Sequence, residues 1–169
     1  MKSSIIRKAG KIELIIMDVD GVLTDGNIYL DDQGREFKAF NTQDGQGIKL
    51  AQSFGINFAI ITGRNSGSVK YRAEELDIKE VYIGIKDKLK IYENLLEKYN
   101  IPSQRTAYIG DDISDLSVLK KVGLAVSVRN GIDIVKNKVD YVTERRGGKG
   151  AVRELIDLIL KARGGFYRN

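Results

Sequence analysis

The sequence predicts an α/β fold: a Rossmann-like parallel sheet flanked by helices, with one inserted β-hairpin. Three observations carry this. Short β-prone runs alternate along the chain with stretches of 3–4 helical spacing. Those runs are apolar without strict polar alternation, as strands buried on both faces are. The chain has 169 residues, 42% hydrophobic and 30% charged, which suits one ordinary core and not two.

The first strand is expected over Glu13–Met17, running out at Asp18-Val19-Asp20-Gly21-Val22-Leu23-Thr24. Ile28–Leu30 and Glu36–Phe40 flank Asp31-Asp32-Gln33-Gly34, a turn signal, so a hairpin is expected there. Asn41–Gly47 is polar and Gly-rich; it reads as a loop able to bring its backbone to a ligand, with a helix starting near Ile48. Further strands are expected at Phe58–Ile61, Val81–Ile83, Thr106–Ile109, Leu124–Val128 and Tyr141–Thr143. Leu89, Tyr92, Leu95, Leu96 and Tyr99 make one helical stripe, and Val152, Leu155, Ile156 and Ile159 another. Ile113, Leu116 and Leu119 suggest a shorter helix after Gly110-Asp111-Asp112, and Pro102 opens the connection into the fourth strand. With no repeat and no low-complexity linker, residues 1–169 read as one domain. Residues 28–40 form its flap and residues 145–169 a basic C-terminal segment.

The chain has no Cys, His or Trp. That excludes disulfides, zinc–thiolate sites, Cys nucleophiles and Ser-His-Asp triads. Chemistry is left to carboxylates, Lys, Arg, hydroxyls, backbone amides or a hard metal ion. Lys plus Arg number 28 against 23 acidic residues, a net +5. The last 34 residues carry nine basic and four acidic groups, so the whole excess sits there and the first 135 residues balance. A basic tail suits an anionic small molecule, a partner subunit or nucleic acid, but no aromatic interleaving or motif supports nucleic acid. No leader-like apolar stretch precedes Lys11, and the longest early apolar run is Leu14-Ile15-Ile16-Met17. A soluble cytoplasmic protein with no membrane partner is expected.

Open parallel sheets bind ligands at the carboxyl ends of their strands. Here those ends carry Asp18 and Asp20, then Thr62-Gly63-Arg64, then Lys86 and Lys88, then Gly110-Asp111-Asp112 with Asp115 a turn later. Each alone has an ordinary structural explanation: a turn or helix cap for the Asp residues, a loop for Thr62-Gly63, a solvated helix face for Lys88. Together they do not. Several carboxylates at one sheet edge repel unless a cation neutralises them, and without His or Cys an oxygen-coordinated Mg²⁺ is the natural partner.

These elements, in this order, resemble the four motifs of the haloacid dehalogenase superfamily of aspartate-nucleophile phosphatases. Asp18–Thr24 matches the first, Thr62 the second, Lys88 the third and Gly110-Asp111-Asp112-x-x-Asp115 the fourth. The likeness continues through Asp25-Gly26, Lys38-Ala39-Phe40-Asn41, Asp44-Gly45, Ile60–Arg64 and Gly147–Glu154. These resemble one branch, the 3-deoxy-D-manno-octulosonate 8-phosphate (KDO 8-phosphate) phosphatases of lipopolysaccharide sugar synthesis. The resemblance implies that Asp18 attacks phosphorus and that Asp20 acts as general acid, then base. It implies that Mg²⁺ is held by Asp18, the Asp20 carbonyl and Asp111. Asp112 and Asp115 would orient the waters around the metal. Thr62 and Lys88 would bind phosphoryl oxygens; Lys86 is the rival for the Lys role, and Asp87-Lys88-Leu89 opens a helix as the family motif does. For the sugar acid it suggests Asn41, Thr42, Gln43, Asp44, Gly45, Lys49, Gly63, Arg64 and Arg72. Where some members carry Arg, this chain has Gln43 and Lys49, and Lys lacks the bidentate fork.

Forty-four residues separate Asp18 from Thr62 and 26 separate Thr62 from Lys88, too few for a cap domain. The branch implies a homotetramer whose neighbours complete each site, for which the hairpin Ile28–Phe40 and Arg145-Arg146-Gly147-Gly148-Lys149 are candidates. Alternatives are a phosphatase of the same fold for another acidic sugar phosphate, of the sialic acid 9-phosphate type, or a non-enzymatic domain. Receiver domains lack the second carboxylate of Asp18-x-Asp20 and the Gly110–Asp115 motif. A catalytically silent scaffold fits poorly with intact Asp18, Asp20, Lys88 and Asp111.

Overall fold

The computed structural model describes residues 3–164. Six strands, β1 (Leu14–Met17), β4 (Asn57–Ile61), β5 (Glu80–Tyr82), β6 (Thr106–Gly110), β7 (Leu124–Ser127) and β8 (Tyr141–Val142), form one parallel sheet in the order β5-β4-β1-β6-β7-β8. All six lie within about a residue of the expected positions. The hairpin is β2 (Tyr29–Leu30) and β3 (Glu36–Phe37), an antiparallel pair shorter than the flanking apolar runs. Residues 165–169, the end of the basic C-terminal segment, lie outside the described residues.

Alternate residues of each strand enter opposite cores, which explains the unbroken apolar runs. Ile15, Met17, Phe58, Ile60, Ile109 and Val126 face α1 (Ser3–Ala9), α2 (Thr42–Ser53), α3 (Gly67–Glu75) and α7 (Ala151–Ala162). Leu14, Ile16, Ala59, Ile61, Tyr108 and Ala125 face α4 (Lys88–Tyr99), α5 (Leu116–Leu119) and α6 (Asp133–Lys136). Each fully buried aliphatic side chain here contributes about 1.5–3 kcal/mol of transfer free energy. No helix among the described residues is long and apolar enough to cross a membrane.

The register positions the chemistry. Met17 pairs with Ile60 on one side and Ile109 on the other. Asp18 is therefore level with Ile61 and Gly110, and Thr62 and Asp111 stand one residue further out. The chain leaves β1 for β4 and β5, then returns across β1 to β6. The loops after β1 and β6 thus part at a topological switch point, where a crevice opens.

One helix, α1, carries no signal in the sequence because it is too short to show a stripe; Ile5 and Ala9 are its buried anchors. Two expectations are corrected. Ile113 does not join the stripe of Leu116 and Leu119 but is exposed, because residues 113–115 form a 3₁₀ turn ahead of α5. Asn41–Gly47 is not a loop, since α2 begins at Thr42. Asn41 caps it, its Oδ1 accepting from the Gln43 and Asp44 amides at 2.8 and 3.3 Å. The glycines that made the segment read as a loop are packing residues. A Cβ on Gly45 would meet the Arg72 guanidinium, and one on Gly47 would meet Arg153 and Ile156.

Loss of that cap is measurable. Asn41→Ala is expected to destabilise the protein by about 1 kcal/mol in denaturant unfolding. An unchanged midpoint would mean that residues 42–47 do not form the first turns of α2.

Candidate active site

A cleft of about 310 Å³ opens at the switch point, lined by Asp18, Asp20, Gly26, Thr62, Gly63, Arg64, Lys88, Asp111, Asp112 and Ser114. A cleft of about 460 Å³ along α3 and β5 is larger, but among the described residues the carboxylate cluster able to hold a metal lies at the switch point. Chemistry outweighs volume, and the switch-point cleft is the candidate site.

On its floor Asp18 is buried just past β1, its Oδ1 accepting from the Val19 amide at 2.7 Å. The Lys88 ammonium, at the start of α4, lies 2.9 Å from Asp18 Oδ2 and 2.7 Å from Asp115 Oδ1. Lys86, the rival for this position, is exposed, whereas Lys88 is buried. Asp115 is fully buried with both oxygens engaged. Oδ1 also accepts from the Tyr108 hydroxyl at 2.7 Å, and Oδ2 from the Asp111 and Asp112 amides at 3.0 and 3.2 Å. The carboxylate has no free lone pair to orient metal-bound water. Its work is to hold Lys88 on one side and the Gly110–Asp112 turn on the other. Asp112 is exposed and caps that turn through the Ile113 amide. Tyr108 carries no signal in the sequence, because an aromatic in an apolar strand reads as core.

Asp18, Asp111 and Asp115 each place an oxygen within 4.8 Å of the others. Asp111 Oδ1 is buried with no hydrogen-bond partner. An orphaned buried carboxylate oxygen beside a second carboxylate, with Asp115 saturated, fits a hard cation ligated by Asp18 and Asp111. Gly21, at φ +86°, keeps the first loop clear: a Cβ there would stand 2.1 Å from Asp111 Oδ2.

Asp20 lies beyond the strand at the cleft wall. Its Oδ1 accepts from Lys38 of the hairpin, and its Oδ2 lies 3.8 Å from Arg64 Nε. Arg64 also pairs with Glu36, and Lys38 stands 3.2 Å from Glu36 Oε1. Thr62 is buried beside them. Lys38 was missed as a site residue because a Lys in a hairpin reads as solvated.

Of the expected substrate contacts, Gly63, Arg64 and the phosphoryl-binding Lys88 line the cleft. Asn41 caps α2, and Thr42 and Gln43 form its exposed first turn, with Gln43 Oε1 accepting from Arg145 at 2.8 Å. Asp44 is buried and accepts from the Arg153 amide at 2.7 Å, joining α2 to the start of α7. Gly45 packs on Arg72. Lys49 pairs with Asp77 at 2.6 Å. Arg72 pairs with Glu75, donates to the Asn41 carbonyl at 3.3 Å and covers the Phe40 ring. Within one chain six of these seven are tied to other partners outside the cleft, and Thr42 is exposed at the start of α2.

The Arg145–Lys149 segment also has a place in its own chain. The Gly148 amide donates to the Val22 carbonyl at 2.9 Å, and a Cβ on Gly147 would lie 1.6 Å from the Gly21 carbonyl. Only glycine allows this strap to lie flat on the Asp18–Thr24 loop.

A family model described as haloacid dehalogenase-like hydrolase matches residues 84–155. The chain is 46% identical over 164 residues to the 3-deoxy-D-manno-octulosonate 8-phosphate phosphatase of Escherichia coli K12, covering 97% of this chain and 87% of that one. It is similar to the crystal structure of that phosphatase from Moraxella catarrhalis in complex with magnesium, phosphate and KDO. The TM-score is 0.95 at 44% identity, over 98% of this chain and 95% of that one. A cobalt-bound form from Haemophilus influenzae aligns with TM-score 0.90 at 39% identity, over 93% and 92% of the two chains.

The electrostatics give a test of the cation site. Burial, with the charge of Asp115, pushes Asp18 up to about 6 against the pull of Lys88. Burial, with the charges of Asp18, Asp115 and Asp112, pushes Asp111 up to about 7. Both values are raised from 3.8, so in that window the folded chain binds more protons than the unfolded one. The stability these groups contribute is present below about pH 4 and lost as pH rises through about 6 and 7. A cation bound there replaces the protons. Excess Mg²⁺ is therefore expected to raise the melting temperature more at about pH 7.5 than at about pH 5.5, and Asp111→Asn should remove most of the difference. Equal shifts at both pH values would place the cation elsewhere.

Proposed function

The chain belongs to the 3-deoxy-D-manno-octulosonate 8-phosphate phosphatases, within the haloacid dehalogenase-like hydrolases. From that premise we propose that it hydrolyses this sugar phosphate to the free sugar acid and inorganic phosphate, in lipopolysaccharide sugar synthesis. One observation supports the reading above others: a buried carboxylate, Asp18, is fixed by Lys88 at the base of the switch-point cleft, with a second carboxylate, Asp20, on the wall above it.

The residues divide the reaction between them. Asp18 attacks phosphorus through a carboxylate oxygen, and the bond from phosphorus to the sugar oxygen breaks. Asp20 gives its proton to that oxygen, then takes one from the water that opens the aspartyl phosphate. Lys88 offsets the charge of Asp18 and, with the Thr62 hydroxyl and backbone, meets the phosphoryl oxygens. The cofactor is Mg²⁺, for which Asp18, Asp111 and the Asp20 carbonyl are the ligands; bound there it screens the repulsion between the nucleophile and the phosphate dianion.

Chelation is expected to abolish turnover and Mg²⁺ to restore it. Asp18→Asn should form no phosphoenzyme, and Asp20→Asn should turn over the sugar phosphate about 10²- to 10⁴-fold more slowly. A panel that includes a sialic acid 9-phosphate fixes the substrate. Faster turnover of that compound than of the octulosonate phosphate would overturn the substrate assignment.

We also propose that the working form is a homo-oligomer of four chains. Ile28, Leu30 and Phe37 of the hairpin are more than half exposed, and Phe37 stacks on Tyr29 with ring centroids 5.4 Å apart. Apolar exposure of this kind at the rim of a site suits burial against a copy of the same chain. Light scattering at assay concentration is expected to give a tetramer, and a fully active monomer would refute this.

A further inference from the structure

We propose that Lys38 is the positioning residue of the acid–base carboxylate, so that the hairpin serves proton transfer in its own chain; this rests on the role given to Asp20 above. The Lys38 side chain is 2% exposed, although it sits in a hairpin whose neighbouring side chains are largely solvated. An ammonium taken from water is retained only where carboxylates replace its hydration. Two do so, Asp20 Oδ1 and, at 3.2 Å, Glu36 Oε1. With Arg64 they form a ring of two cations and two anions, which is neutral. Lys38 is thus committed to carboxylates and is not a spare phosphate ligand.

The dependence runs the other way too. Among the described residues, the hydrogen bond from Lys38 is the one that the Asp20 carboxylate receives; Arg64, at 3.8 Å, is beyond hydrogen-bond reach. Asp20 lies past the end of β1, where no ladder fixes its rotamer. A general acid must come within about 2.6–3.2 Å of the atom it protonates, so whatever fixes that rotamer sets the rate of proton delivery. Lys38 is itself held from both sides. Residues 36–37 before it are paired in β3, and Phe40 after it packs against the core beneath Arg72, next to the Asn41 cap. Glu36, on the same strand, grips both Lys38 and Arg64 and closes the ring.

A role through Asp20 predicts sensitivity to the leaving group. A sugar alkoxide needs a proton to depart, whereas p-nitrophenolate does not. The test compares kcat/KM, which reports steps up to phosphoenzyme formation, for the octulosonate phosphate and p-nitrophenyl phosphate. Lys38→Met is expected to lose about 10- to 100-fold on the sugar phosphate and less than about threefold on the aryl phosphate. Lys38→Arg should recover part of the loss, and Asp20→Asn should show the same pattern with a larger amplitude. Equal losses on both substrates in Lys38→Met, with selectivity intact in Asp20→Asn, would overturn the proposal and leave the acid–base assignment standing. Equal losses in Asp20→Asn would instead overturn that assignment, and the proposal with it. Should Lys38→Met fail to fold, Glu36→Gln loosens the same ring while keeping its volume. It is expected to show the same leaving-group dependence at smaller amplitude, and its absence would refute the proposal.

Discussion

The ammonium of Lys88, buried between Asp18 and Asp115, is the contact on which the rest of the site depends. Three carboxylates meet where β1 and β6 diverge, and their burial, followed by their mutual repulsion, opposes their ionisation. Lys88 lies against two of them. Burial pulls its own proton affinity down, but Asp18 and Asp115 outweigh that and raise it, so it stays charged. Burial and like charge still push Asp18 and Asp111 up, so one cation does not balance the cluster. The remainder is the attraction that a divalent metal satisfies. A site built this way is incomplete without its cofactor by construction.

Around this contact the fold supplies rigidity in layers. Tyr108 and the Asp111 and Asp112 amides saturate Asp115, so Lys88 has a fixed anvil. Gly21 lets the first loop pass close to Asp111, and the Gly147-Gly148 strap presses that loop from outside. The strap is held in turn by Glu154 of α7, whose carboxylate accepts from the Glu144 and Arg145 amides and the Tyr141 hydroxyl. Asp44 ties α2 to the same helix start. Residues more than a hundred positions apart thus set the position of the Asp18–Thr24 loop.

The sequence made the sheet and the catalytic floor legible, because both are written in local signals. Apolar runs with no polar alternation mark doubly covered strands, and the residues after each run mark the sheet edge; Asp18, Thr62 and Asp111 follow from that, whereas Lys88 is separated from Lys86 in the sequence only by its resemblance to the family motif. What stayed hidden depends on tertiary partners. Gly45 and Gly47 are glycines because Arg72, Arg153 and Ile156 press on them, yet in sequence they imitate a loop. Lys49 and Arg72 are cations suited to an acidic sugar, yet Asp77 and Glu75 already engage them within the chain. Lys38 and Tyr108 gain their significance only from contacts to Asp20 and Asp115, neither of which leaves a periodicity. The Arg145–Lys149 segment announced itself by charge, whereas its glycines make the contact.

The two carboxylates of the first loop also differ in exposure in the way their proposed tasks require. The Asp18 side chain is 9% exposed and that of Asp20 is 26% exposed. A nucleophile gains from a dry, fixed setting, where no water competes for phosphorus and Lys88 acts at short range. The acid–base group must first face a sugar oxygen and later a water molecule, so complete burial would block its second task. The parallel sheet provides the first setting directly, since a residue one step beyond β1 is still within the core. It has no means of providing the second. A carboxylate three steps beyond the strand is partly out of the fold, and it needs a partner from outside the sheet to hold it without sealing it. The hairpin between β1 and α2 is placed to supply that partner, which gives this small insertion a purpose within its own chain.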